Sequence, residues 1–122
     1  MSDTGGRFSY DGLDKIFHEP SRLSIMTSLF TRSAGYDFNE LKKLCSLTDG
    51  NLSRQISSLK DGGLITVTKD FVENRPRTHC TITPEGRRKF LRYVQELERV
   101  VADVSNQRET NPGSAQTALS SG

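Results

Sequence analysis

The chain has 122 residues, of which 33% are hydrophobic and 26% are charged, a composition typical of one soluble domain with a modest core. It contains no run of the ~20 apolar residues that a membrane-spanning helix needs, and residues 1–6 lack the apolar segment of a signal peptide. We therefore expect a cytoplasmic protein without a membrane partner. The two cysteines, Cys45 and Cys80, do not form a CxxC motif, so neither a disulfide framework nor a zinc site is predicted.

The formal net charge of +2 is unevenly distributed along the chain. Residues 42–92 contain eleven Lys or Arg and five Asp or Glu, a net charge of +6, whereas the remaining residues carry a net charge of −4. A basic region of this kind favours a polyanionic partner.

The N-terminal third is expected to supply much of the core. Residues 1–9 are rich in Gly and Ser and are predicted to be flexible. Asp11 is suited to cap a short first helix, and Pro20 to open a second helix that continues to Phe30 with apolar residues on more than one face. Residues 31–36 are predicted to form a loop.

Residues 37–63 have the pattern of a helix-turn-helix. Asp37 and Glu40 have the spacing of a capping box at the start of one helix, and Thr48 is suited to cap the next. The second helix is predicted to end at Gly62-Gly63. The apolar face of the first helix comprises Phe38, Leu41, Leu44 and Cys45, and that of the second comprises Leu52, Ile56 and Leu59.

The second of these helices has an unusually small and polar outer face. At ~100° per residue, the positions opposite its apolar stripe are Gly50, Arg54 and Ser57, flanked by Asn51, Ser53 and Ser58. Such a face could be an ordinary solvated surface, but those surfaces usually carry helix-favouring Glu and Lys. Short side chains around one Arg, whose planar fork matches the acceptor pair of guanine, favour a helix that enters a DNA groove.

Two alternating, β-branched segments, residues 64–68 and 77–83, predict an antiparallel hairpin. The loop between them, residues 70–76, leads to a polar tip with Arg75 and Arg77 on either side of a proline. In isolation, this hairpin would be interpreted as a plain one with solubilising charges. Because it directly follows a helix-turn-helix, we interpret it as the wing of a winged helix.

Thr83-Pro84-Glu85 is a strong helix start, and the helix is predicted to continue to about Val104. Its apolar residues follow a heptad pattern, which is typical of a helix that packs along another helix. Packing on the chain's own first helix is one explanation, but the length of the stripe favours a homodimer. The apolar stripe of this helix consists of Phe90, Val94, Leu97, Val101 and Val104.

After the helix, residues 105–122 are predicted to be a disordered tail.

This ordered set of elements resembles the winged-helix transcriptional regulators related to the MarR and ArsR families, over residues 12–104. The residues that carry the resemblance are Leu47 to Leu59, Gly63-Leu64-Ile65, and the Arg-Pro-Arg-Thr segment at 75–78 that continues into Thr83-Pro84-Glu85-Gly86. The expected fold is therefore α+β and mainly α, a winged helix-turn-helix domain over residues 10–104. It has a two-stranded wing and a long C-terminal dimerisation helix over residues 84–104.

The resemblance implies a homodimer that binds a pseudo-palindromic operator, with the recognition helix in the major groove and the wing along the backbone or minor groove. Arg75 and Arg77 would then contact DNA from the wing. The paired cysteines by which some ArsR-type sensors hold metal are absent, and so are the long flanking helices of typical MarR proteins. Metal sensing and a family-like effector pocket are therefore not assumed. The residues implied at the groove are Thr48, Asn51, Ser53, Arg54 and Ser57.

The function expected from the sequence is a DNA-binding transcriptional regulator, taken as a repressor, in a bacterial or archaeal cytoplasm and associated with the nucleoid. Its partners would be double-stranded DNA and a second copy of the chain; no cofactor or metal is predicted, and a small-molecule effector is left open. The phosphate contacts are assigned to Lys42, Lys43, Lys60, Arg75 and Arg77.

Two other classes of function remain as alternatives. A winged-helix module that binds a protein through the same surfaces would have a neutral or acidic recognition face. An enzyme is disfavoured because there is no Gly-rich phosphate loop and because His18 and His79 lack an acidic partner at a recognisable spacing. Cys45 is interpreted as a core residue, and a redox or metal switch shared between Cys80 of two subunits is a minor alternative.

Overall fold

The structure, a computed structural model, describes residues 6–110. These residues belong to two compact units, one formed by residues 14–91 and the other containing residues 6–13 and 92–110. Within residues 6–110, a short 3-10 helix, Lys15–Phe17, precedes four α-helices and three β-strands. They are α1 Pro20–Thr31, β1 Tyr36–Asp37, α2 Phe38–Cys45, α3 Asp49–Asp61, β2 Ile65–Val72, β3 Arg75–Ile82 and α4 Pro84–Thr110.

The strands form an antiparallel sheet in the order β1-β3-β2, and the order of helices and strands confirms the predicted winged helix. Strands β2 and β3 form a hairpin that is paired from Ile65–Ile82 to Val72–Arg75. The connection consists of Glu73 and Asn74, with φ values of 53° and 65°, as in a type I′ turn. The prediction of a loop over residues 70–76 is therefore wrong, because both strands continue to a two-residue turn. This turn lacks the Gly that is usual there.

The core of the unit formed by residues 14–91 centres on helix α1, as its apolar sequence predicts. Ile25, Met26 and Leu29 are fully buried on this helix. They are joined by the apolar stripe of α3, which is also buried as predicted. Leu41 of α2 is fully buried, but Leu44 is 57% exposed. Leu44 is on the predicted apolar face, but it lies at the edge of that face, farthest round the helix from Cys45 and Phe38, and so remains in contact with water.

The first helix is shorter than predicted and begins later. Asp14, and not Asp11, caps it by accepting a 3.1 Å hydrogen bond from the backbone N–H of Ile16. Asp11 instead accepts a hydrogen bond from the hydroxyl of Ser9. The helix is a single 3-10 turn that buries Phe17.

The other unit joins residues 6–13 to the C-terminal half of α4. The Tyr10 hydroxyl donates a 2.7 Å hydrogen bond to Asp103, whose second oxygen lies 3.3 Å from Arg7. The hydrogen bond from Tyr10 lowers the pKa of Asp103 and raises that of Tyr10 itself. The guanidinium of Arg99 lies 4.9 Å from the centre of the Tyr10 ring. Part of the segment predicted to be flexible, residues 1–9, therefore contacts α4.

Helix α4 ends at Thr110, six residues beyond the predicted end at Val104. The prediction of a disordered tail is thus wrong for residues 105–110, and its remainder, residues 111–122, lies outside the described residues. None of the helices in the described residues is both long and apolar enough to cross a membrane.

Candidate functional site

Helix α3 is held by its caps and by its buried stripe, as predicted. The Thr48 hydroxyl accepts a 3.1 Å hydrogen bond from the backbone N–H of Asn51 at the start of the helix. Helix α2 ends at Ser46, whose left-handed conformation, φ 54°, turns the chain sharply toward α3. Both ends of the turn between α2 and α3 are thereby determined by local hydrogen bonds, and the outer face of α3 is left to solvent.

Most of the residues predicted to read a DNA groove are exposed on that outer face. Its side chains are short apart from Arg54, and a Cβ added at Gly50 would meet no heavy atom within 4 Å. Arg54 donates a long, 3.4 Å hydrogen bond to Asn51, so its guanidinium is only weakly held. The exposed residues of this face are Thr48, Gly50, Ser53, Arg54, Ser57, Ser58 and Asp61.

Asn51, in contrast, is half-buried in a polar network that the sequence did not reveal. Its amide nitrogen donates to the Ser21 hydroxyl at 3.2 Å, and its oxygen accepts from Gln55 at 2.9 Å. Gln55 is 8% exposed and accepts a 2.9 Å hydrogen bond from Arg22, which also donates to the Ile16 carbonyl at 2.7 Å. The network joins α3 to α1 by hydrogen bonds, so the side chain of Asn51 already positions α3.

The wing carries two arginines with different surroundings. Arg75 is exposed beside the turn. Arg77 donates two hydrogen bonds to Asp70, at 3.0 and 2.9 Å, and lies 3.8 Å from Asp37. These bonds lower the pKa of Asp70 and raise that of Arg77. Of the two arginines predicted to contact DNA, Arg77 therefore shares its charge with a carboxylate of its own hairpin.

His79 connects the base of the wing to the start of the helix-turn-helix. Its Nδ1 lies 2.5 Å from an Asp37 carboxylate oxygen, and its Nε2 lies 2.7 Å from the carbonyl oxygen of Ala34. Both partners can only accept, so the arrangement favours the doubly protonated ring. The hydrogen bond to Asp37, followed by that to Ala34, raises the pKa of His79. Asp37 is 42 positions from His79 in the chain, so no recognisable sequence spacing indicated this pair.

A cleft of about 260 Å³ separates the outer face of α3 from the wing. Its floor is apolar, and its rim carries two lysines, Lys60 and Lys69, together with hydroxyl groups from both elements. Lys60 was predicted to contact phosphates. Lys69 was not, because nothing in the sequence indicated that this strand residue lies beside a groove. The other residues that line the cleft are Phe38, Ser53, Ile56, Ser57, Val67 and Thr78.

The two lysines predicted on α2 differ in their availability. Lys43 is exposed. Lys42 lies 2.8 Å from Asp49 in an exposed ion pair, a kind of contact that is weak in water and easily exchanged for a phosphate. Lys42 therefore faces the first turn of α3.

The predicted dimerisation stripe on α4 is exposed at one end and buried at the other. Val101 and Val104 are 62% and 54% exposed, and Val94 and Leu97 are partly exposed. Phe90 is 3% exposed, with its ring centre 5.2 Å from that of Phe17. Phe90 is therefore a core residue and not an interface residue, because the first turns of α4 pack on the chain's own 3-10 helix.

Neither cysteine is placed for reactive chemistry. Cys45 lies 3.7 Å from the Ser28 hydroxyl, and partial burial raises its pKa. Cys80 is fully buried, and desolvation raises its pKa to about 11. This burial argues against a redox or metal switch shared between Cys80 and a second subunit. Within the described residues, no cluster of three or more His, Cys, Asp or Glu is suited to bind a metal ion.

A capped helix with an exposed polar face, followed by a basic hairpin across a lysine-rimmed cleft, defines a winged helix-turn-helix protein. The profile of the winged helix DNA-binding domain family matches residues 21–101. The chain belongs to this family.

Two relatives are similar to this chain over nearly all of their own length. The uncharacterized protein MJ0432 of Methanocaldococcus jannaschii is 34% identical over 90 residues, which are 74% of this chain and 97% of that protein. A transcriptional regulator homologue from Pyrococcus horikoshii OT3 is 30% identical and has a TM-score of 0.72, with coverage of 81% of this chain and 98% of that one.

The fold is also shared with more distant proteins. The MepR–DNA complex of Staphylococcus aureus matches with a TM-score of 0.65 at 16% identity, covering 89% of this chain and 90% of that one. MarR-family regulators share the fold at similarly low identity. The predicted resemblance to winged-helix regulators is thereby confirmed in the fold and in the winged helix DNA-binding domain family.

Proposed function

We propose that the protein is a sequence-specific repressor that binds a pseudo-palindromic DNA operator as a homodimer. Helix α3 enters the major groove, and the wing follows the backbone toward the minor groove. The observation that carries this proposal is the outer face of α3, which combines short exposed side chains with a weakly held Arg54.

The chemistry of that face supports base reading by a few residues. The guanidinium of Arg54 can donate two hydrogen bonds to guanine, a contact that contributes roughly 1–3 kcal/mol of discrimination. Ser53 and Ser57 are exposed on the same face and can donate to or accept from base edges or phosphates. Asn51 would contact a base only after giving up hydrogen bonds to Ser21 and Gln55, so we assign it a positioning role.

The remaining affinity is assigned to phosphate contacts by exposed cations. Lys43, Lys60 and Arg75 are exposed, and Lys42 can exchange its surface ion pair for a phosphate. Each such contact releases counterions and steepens the dependence of affinity on salt. Arg77, held by Asp70, would contribute less than Arg75.

Dimerisation is supported by the exposed apolar residues of α4. Val101 and Val104 are more than half exposed on one side of the helix, where the partly exposed Val94 and Leu97 continue the same stripe. Water contact with such a stripe is unfavourable, and a second copy of the helix would remove it. Two linked copies of α3 would then read two half-sites about one helical turn apart.

The test starts with a selection of bound sequences from a random DNA pool by the full-length protein. Affinity for the selected site and for unrelated DNA is then measured by gel-shift titration for the wild type and for Arg54→Ala. We expect a loss of about tenfold or more on the selected site and a small loss on unrelated DNA, because a bidentate base contact is removed.

Arg88→Ala is the matched control, since it removes the same charge from an exposed position on α4. Equal losses for Arg54→Ala and Arg88→Ala would contradict the assignment of Arg54 to a base. Weak binding to every DNA sequence, even at low salt, would contradict DNA recognition and favour a winged-helix module that binds a protein.

A further inference from the structure

The wing exposes an aromatic side chain that no contact described above explains. Among the large apolar side chains of the described residues, Phe71 is the most exposed, at 73%. It lies near the end of β2, directly across from Pro76 of β3. The phenyl ring and the proline ring together form an exposed apolar patch on a basic hairpin. Exposed strand edges usually carry charged, solubilising residues instead.

The side of the hairpin on which this apolar patch lies follows from the alternation of side chains along the strand. Ile65, Val67, Lys69 and Phe71 share one face of β2, because successive side chains point to opposite faces. Ile65 is buried in the core, and Val67 and Lys69 line the cleft beside α3. Phe71 thus continues the cleft-lining face outward, on the side of the hairpin that the recognition helix occupies.

The charges along this path fit a nucleic acid strand. The cleft is lined by Lys60 and Lys69, and no carboxylate is among the residues that line it. Lys69 precedes Phe71 by two residues of β structure, which span about 7 Å, so a phosphate bound by Lys69 would lie next to the ring along the strand. The sugar next to this phosphate would then face the ring.

One acidic residue defines how the wing can approach. Glu73 occupies the turn at the end of the hairpin and is exposed. A carboxylate at the tip opposes deep insertion into a groove lined by phosphates. The flank of the hairpin, and not its tip, is therefore the surface that can lie against DNA.

We propose that Phe71 is a DNA contact residue, whose ring packs on a deoxyribose and the adjoining base edges at the minor groove while the neighbouring phosphate lies in the cleft. The inference rests on the proposed DNA-binding function and adds an apolar contact to it. Apolar side chains in the minor groove favour base steps that deform easily, so Phe71 would add sequence preference at positions flanking the major-groove contacts.

The chain has no tryptophan, so one introduced residue gives an unambiguous optical signal. In the Phe71→Trp variant, acrylamide quenching of the indole fluorescence is measured with and without the selected DNA. Binding should reduce the accessibility of the indole to acrylamide. Thr66→Trp is the matched control, because Thr66 is exposed on the opposite face of the same strand, and its quenching should not change.

A second measurement separates this apolar contact from charge effects. Phe71→Ala should weaken binding to the selected site by about tenfold, because the variant lacks the phenyl ring that the complex would bury. The slope of affinity against salt should not change, because no cation is removed, whereas Lys69→Ala should reduce the slope by about one.

The outcomes distinguish this inference from the function on which it rests. DNA binding without protection of the indole in Phe71→Trp, or Phe71→Ala binding as tightly as the wild type, would overturn the contact and leave the proposed function standing. Absence of DNA binding by the wild type at low salt would overturn both. Protection that rises with protein concentration in the absence of DNA would assign the ring to a contact between copies and would also overturn the inference.

Discussion

Gly86 gives the sharpest test of how the wing is joined to α4. It lies in the first turn of this helix, where exchange for alanine would ordinarily stabilise the protein by up to about 1 kcal/mol. A Cβ at this position would overlap the carbonyl oxygen of Leu64 and approach its carbon to 2.9 Å and its Cα to 3.0 Å. We therefore expect Gly86→Ala to destabilise the fold, contrary to helix propensity.

The size of the loss depends on whether Leu64 can move. Its carbonyl accepts a 3.0 Å hydrogen bond from Thr83, its N–H donates to Leu59 at 3.0 Å, and its side chain is 2% exposed. Overpacking a fixed neighbour costs roughly 1–3 kcal/mol. Because the clash is with backbone atoms, we take the upper end of this range. After the opposing propensity is subtracted, the expected net loss is about 2 kcal/mol, which corresponds to a melting temperature lower by roughly 8 °C for a chain of this size.

The assay is thermal and urea unfolding of the wild type, Gly86→Ala and Gly50→Ala. Gly50 is the matched control, since it lies in the first turn of α3 and a Cβ there would meet no heavy atom within 4 Å. Gly50→Ala should be neutral or stabilising. If both variants are stabilised equally, the close approach of Leu64 to α4 is refuted.

Three further predictions concern the wing and the interface. The pKa of His79 is raised in the folded chain, so the stability that it contributes is complete below the unfolded value and is lost as pH rises through the folded one. Urea unfolding from pH 6 to 9 should show this loss in the wild type, and His79→Gln should lack it. Arg75→Ala should flatten the salt dependence of DNA binding more than Arg77→Ala, which removes a guanidinium already paired with Asp70. Val101→Glu should shift the protein toward monomer in sedimentation, and a dimer unchanged by this substitution would contradict the α4 interface.

The features that the sequence predicted well depend on neighbours a few residues apart. Asp37 donates its backbone N–H to Glu40 at 2.9 Å, and Thr48 caps α3, as their spacing indicated. The buried stripe of α3 follows from helix geometry alone. Where a hydrogen bond or an apolar contact spans three or four residues, the amino-acid pattern is sufficient to predict it.

The features that were missed depend on residues distant in the chain. The pair of Arg22 and Gln55 spans 33 positions, and that of Asp37 and His79 spans 42. Phe90 has an unbroken heptad spacing, and only its contact with Phe17 reveals that it belongs to the core. Gln55 lies beside the apolar stripe of α3. In the sequence, this position of a polar residue was the one indication of the network that also includes Asn51.

These internal contacts bear directly on how the proposed regulator would achieve specificity. With Asn51 bound to Ser21 and Gln55, Arg54 is the one long side chain on the outer face of α3 that is left for bidentate base reading. One such contact supplies roughly 1–3 kcal/mol, and two half-sites supply roughly 2–6 kcal/mol. Specific sites are typically preferred over unrelated DNA by roughly 4–10 kcal/mol. A monomer would fall below this range, so dimerisation through α4 would be needed for recognition of a defined operator, and a flanking contact by Phe71 would increase the preference further.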